Sequence, residues 1–229
     1  MNRGRIWIGS LVLVLAALTL AAPALSEPPI GSRIDAVPLA PVQPDTHSQE
    51  DAIRLMNQFA RCIGHQRRKE ARAVLDLPLG STEQNRAIAR MVGGQEECLG
   101  DGAAELHFPA PALIGGLAEQ LILDLYPGAD PSSLAGLSDA DQQKRGFAPR
   151  NLSEDFALCV VRRDPASVRA FIDTQPASPG EDQVVRKLVP QFGPCAVAGQ
   201  TLKLDKLSIR LMLAFGLYRA LAVTLGPAG

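Results

Sequence analysis

Four cysteines, three histidines and a few neighbouring carboxylates are the side chains of this chain whose types suit chemistry: thiol exchange, metal ligation or acid–base work. The cysteines are Cys62, Cys98, Cys159 and Cys195, and none forms the C-x-x-C spacing of a redox or zinc motif. Instead, each successive pair is 36 positions apart, and the second pair follows the first by 97, from 62 to 159 and from 98 to 195. Evenly repeated, widely spaced cysteines read as structural disulfides if the compartment oxidises them. Four cysteines allow three pairings, and the repeat favours Cys62 with Cys98 and Cys159 with Cys195.

Around the cysteines the signals for catalysis are few. No G-x-S-x-G, H-E-x-x-H, G-x-x-x-x-G-K-[ST], G-x-G-x-x-G or EF-hand pattern occurs, so neither cofactor nor metal is expected. The histidines, His47, His65 and His107, are scattered, and the positions answering to His65 and His107 in the repeat are Arg162 and Lys203. Glu96, Glu97 and Glu119 are carboxylates for which spacing supplies no partner acid. Two basic positions recur, Arg72 with Arg169 and Arg90 with Lys187. They read either as equivalent anion sites or, more simply, as structural residues, with Arg72 and Arg169 pairing with Asp76 and Asp173 one helical turn on.

The repeat extends well beyond the cysteines. At the offset of 97, Phe59 falls on Phe156, Ala60 on Ala157, Arg72 on Arg169, Asp76 on Asp173 and Ser81 on Ser178. After the second cysteine the best register is 96, matching Leu106 to Leu202, Leu117 to Leu213, Ala118 to Ala214 and Leu121 to Leu217. The expected fold is therefore all-α, with two tandem units of about four helices, 48–126 and 151–229, each stapled by one disulfide and joined by a connector over 127–150.

Helix signals place the elements within each unit. The apolar stripe Ile53, Met56, Phe59, Ala60 and Ile63 predicts a first helix from Ser48 with Cys62 near its end. A second follows over 67–77, and Ser81 with Gln84 forms a capping box that opens a third, ending at Gly93-Gly94. Leu106 and Phe108 allow a very short strand. Leu113, Leu117, Leu121 and Leu125 mark a fourth helix, in which Gly115-Gly116 predicts close packing against a neighbour. In the second unit the helices are expected at 153–163, from Asp164-Pro165 to Pro176, at 180–192 and at 206–224, with Ser153 as the first cap. The last is apolar nearly all round, yet Arg210 and Arg219 interrupt it, which suits a core helix better than a membrane span.

The 229 residues are 46% hydrophobic but only 4% aromatic, which predicts an aliphatic core. With 23 basic against 24 acidic residues the net charge is -1, and bulk-charge binding of nucleic acid is not expected. Arg3 and Arg5, the apolar run from Ile6 to Ala22 and small residues near Ala24 read as a signal peptide over 1–26, followed by a Pro-rich extended lead-in over 27–47. The expected localisation is exported, periplasmic or extracellular, with no membrane span retained after cleavage. Two functional classes stand. The favoured one is a non-catalytic binding or protein-interaction module of the bacterial envelope, meeting a partner protein or a small apolar ligand at the junction of the units or at the surfaces of their fourth helices. The other is an envelope enzyme, hydrolase-like, whose site has no sequence motif.

Overall fold

Apolar residues at helical spacing dominate the chain, and every regular element they form is helical. The computed structural model describes residues 46–99, 110–146, 148–199 and 204–226; the expected signal peptide and the extended segment around His107 lie outside them. Nine α-helices occur among these residues: α1 (Thr46–Gln66), α2 (Arg68–Leu75), α3 (Thr82–Val92), α4 (Ala112–Leu125), α5 (Asp139–Lys144), α6 (Leu152–Arg163), α7 (Pro165–Ile172), α8 (Pro179–Cys195) and α9 (Lys206–Leu225). No strand is found among the described residues.

Local chemistry sets the helix starts. Ser81 Oγ accepts from the Gln84 amide at the head of α3, and Asp164 does the same for Ser167 before Pro165 opens α7. In the connector, Ser138 and Asp141 form a reciprocal capping box that nucleates the six-residue α5. At α6 the cap is Asn151 rather than Ser153: its side-chain oxygen takes the Glu154 amide, so the cap lies two residues, and the first helical residue one, ahead of the expected positions. The eighth helix likewise runs on past Pro190 and Pro194 to end at Cys195 itself.

Four helices make a row in the order α1, α4, α9, α6, with α2 and α3 flanking one end and α7 and α8 the other. The two bridges form as Cys62–Cys98 and Cys159–Cys195, each with a Cα–Cα distance of 5.6 Å. The first ties α1 to a 3₁₀ turn at Glu96–Cys98, beyond the end of α3; the second ties α6 directly to the last residue of α8. Bonded cysteines of this kind belong to an oxidising, non-cytoplasmic environment.

Small residues let the row close up. Adjacent glycines on α4 face opposite neighbours: Gly115 approaches the Leu211 backbone of α9, and Gly116 approaches Ala60 and Asn57 of α1. On the far side Gly216 of α9 meets Ala157 of α6 in the same way. A methyl at Gly116 would lie 2.6 Å from the Ala60 Cβ, so Gly116→Ala is expected to destabilise the fold by about 1–3 kcal/mol in urea unfolding. By contrast Gly193 in α8 has open space, and Gly193→Ala is expected to be neutral or to stabilise by up to about 1 kcal/mol.

By length and composition α9 could cross a membrane. Its surroundings here are protein: residues from Ile209 to Leu221 are largely buried against α4, α6 and α7. Phe156, Phe171 and Phe215 are the bulkiest fully buried side chains, set among Leu, Ile and Ala, as the low aromatic content predicts.

Candidate functional site

The two arginines that interrupt α9 are where buried charge collects. Arg210 is only 4% exposed, and its Nε donates to Glu119 Oε1 at 2.6 Å while Nη1 donates to Glu181 Oε1 at 2.9 Å. Its remaining hydrogens reach the carbonyls of Ile172 at 3.0 Å and Thr174 at 2.8 Å, and its plane lies over the Phe171 ring. Both carboxylates are completed elsewhere, Glu119 by Asn57 Nδ2 at 3.1 Å and Glu181 by the Ala177 amide at 2.7 Å. Burial works against the charge on Arg210, but the Glu119 and Glu181 carboxylates outweigh it and hold the guanidinium above its ordinary pKa.

A second network lies between α6 and α9. Glu154, 1% exposed, accepts from the Leu79 amide, from Arg150 and, at 2.7 Å, from Arg219. Burial pushes its carboxyl up, and the hydrogen bonds from Arg150 and Leu79 overcome this, so the net displacement is downward. A carboxyl depressed in the folded state stabilises above its ordinary value of 4.5, and that stability is lost as pH falls through the folded-state value. Glu154→Gln is therefore expected to be less stable than the parent at neutral pH and to show a shallower acid transition, read by circular dichroism between pH 7 and 2. A parallel loss in both proteins would refute the assignment. Arg219 is lowered, by burial first and then by Arg150, while the nearby Tyr218 hydroxyl is pushed up to about 12 by burial with Asp76 adding to it.

These networks clasp two interhelical loops differently. The α2–α3 loop is held by the start of α6: Arg150 donates to the carbonyls of Asp76 and Leu77, and Asn151 to that of Leu79 at 2.9 Å. Across the molecule the α7–α8 loop is held from beneath by Arg210, and from α1 by Arg54, which donates to the Ala177 carbonyl at 2.9 Å. Here the surface opens into a cleft of about 700 Å³ between the beginnings of α1, α8 and α9. Ile53, Pro179 and Leu207 contribute apolar lining, Glu50, Asp182 and Asp205 contribute carboxylates, and the buried Arg210 and Glu181 form the floor. Over the α2–α3 loop, the depression beside Leu79, Pro111 and Met212 is much smaller, about 270 Å³.

Ala177, on the cleft rim, has φ of 52°, the left-handed region that costs an alanine roughly 1–2 kcal/mol. Gly80 takes the same conformation in the α2–α3 loop without that cost.

The residues singled out by sequence fall mostly outside the cleft. Arg169 pairs with Asp173 at 3.0 Å on the surface of α7, as the helical spacing predicts, and Arg72 hydrogen-bonds near Tyr218. Arg90 and Lys187 are both exposed, on α3 and α8. His65 is exposed at the end of α1, 3.0 Å from Asp124, which also takes Arg68. Glu97 is exposed, whereas Glu119, for which spacing offers no partner, is bound to a base 91 positions away. Among the described residues no group of three or more His, Cys, Asp or Glu is arranged to hold a metal ion.

Fold and cleft define an all-helical, doubly disulfide-bonded protein with buried ion networks joining its two ends. No family model matches the chain, and no curated protein and no solved structure matches it significantly.

Proposed function

We propose that the chain is an exported binding module built from a duplicated four-helix unit, and that the cleft beside α1, α8 and α9 is its binding site. The observation that carries this reading is the cleft itself: about 700 Å³, part apolar and part charged, over a floor whose charged groups are already paired. A floor of that kind is rigid and preformed, and it offers a ligand a shaped surface rather than an activated nucleophile.

Contact pairs support the duplication and revise its register. Gly116 rests on Ala60 and Gly216 on Ala157; Asn57 bonds Glu119 and Arg219 bonds Glu154. In the first helices these partners are 97 positions apart, and in the last helices they are 100 apart rather than 96. At 100, Leu113, Leu117, Leu121 and Leu125 also fall on Leu213, Leu217, Leu221 and Leu225. A shift of four is about one helical turn, which keeps the same face and explains why leucine spacing alone accommodates either register. Gln84 and Glu181 are the matching residues under the two loops. The amide of Gln84 donates to the Val74 carbonyl itself, while Glu181 cannot donate and Arg210 supplies that hydrogen to Phe171. The two junctions of one duplicated plan have thus diverged, one clasped shut and one left open.

Native mass spectrometry of the protein from its host's envelope fraction, without reductant, tests the reading. A non-covalent added mass that disappears on denaturation, and that Ile53→Trp abolishes by filling the cleft, is the expected result. A bare chain in both samples would overturn it.

A further inference from the structure

Resting on the cleft as the binding site, we infer that its ligand is a small organic cation, an ammonium-type head on an apolar body. The lining suits both parts of such a molecule: Ile53, Pro179 and Leu207 offer apolar contact to the body, and Glu50, Asp182 and Asp205 offer carboxylates to the head. A cation already stands where the head would go: the Lys206 ammonium pairs with Asp182, both residues lining the cleft, yet its side chain remains 60% exposed. Asp182, Glu181 and Glu50 together favour its charged form, so the potential at that point attracts cations. An exposed lysine pairing of this sort is weak and is readily exchanged for a ligand ammonium that also buries apolar surface.

Anions are disfavoured at the same place, although α8 and α9 present their first turns there. At α8 the Glu181 amide is taken by Ser178 and the Ala177 amide by Glu181, and at α9 the Ser208 amide is taken by Asp205. The helix starts therefore present carboxylates to the cleft in place of open N–H groups. The clasped junction supplies the contrast: there Arg150 and Asn151 occupy the loop carbonyls, and the space left is small and apolar.

Titration calorimetry on the intact, oxidised protein with n-hexylamine, n-hexanol and n-hexanoate separates the possibilities, since the three probes share a chain and differ in the head. Hexylamine is expected to bind most tightly. Lys206→Ala, by releasing Asp182, is expected to tighten hexylamine about five- to tenfold, and Asp182→Asn to weaken it by a similar factor. Equal binding of hexylamine and hexanol, or a Lys206→Ala variant that weakens hexylamine, overturns the cation assignment and leaves the cleft as a binding site. If none of the three binds and the native spectrum is bare, both readings fail together.

Discussion

Arg210→Met is expected to destabilise the fold by about 3–5 kcal/mol, the loss that follows when one member of a buried ion network is removed and its partners stay charged. Glu119 and Glu181 would be left within the core, 1% and 3% exposed, with one neutral donor each besides the lost guanidinium. Three backbone carbonyls at the end of α7 would also lose their donor. Urea unfolding measures the loss. Adding Glu119→Gln and Glu181→Gln is expected to recover most of the stability, since the buried charge is then gone altogether. A single Arg210→Met variant within about 1 kcal/mol of the parent would show that the network is not a structural necessity.

Reduction of the bridges is expected to have the largest effect of all. Each closes a loop of 36 positions, and the chain-entropy estimate for such a loop is about 4 kcal/mol. Two of them amount to much of the roughly 5–15 kcal/mol by which a domain of ordinary stability is held. Unfolding followed with and without reductant should therefore show the reduced chain losing its cooperative transition or shifting it to far lower urea. Removing one bridge at a time, as Cys62→Ala with Cys98→Ala or Cys159→Ala with Cys195→Ala, is expected to leave a folded but weakened protein. A reduced chain with an unchanged midpoint would sink the expectation.

The helices and bridges were legible in the sequence because their causes are local. Ser81 with Gln84, and Asp164 with Pro165, announce helix starts within four residues, and equal cysteine spacing selects one pairing of three. The cap of α6 was misplaced because Asn151 and Ser153 both suit the role and only backbone geometry distinguishes them. Nothing local announces the cleft. It is assembled from the starts of α8 and α9 and that of α1, more than 120 positions before them, as the bond from Arg54 to Ala177 illustrates. Arg210 and Glu119 each stood out as an anomaly, a charge in an apolar helix and an acid without a partner. That they answer each other depends on which faces of α4 and α9 meet, and the close approach of Gly115 to Leu211 fixes that.

The place of α9 in the row bears on how the chain must be made. It follows α4 and α6 in the chain, yet it lies between them and covers both. Everything before it can be translated, and both pairs of cysteines can be present, while the apolar faces of those two helices are still waiting for their common neighbour. A product terminated before α9 would then expose the surfaces that proteases and chaperones recognise.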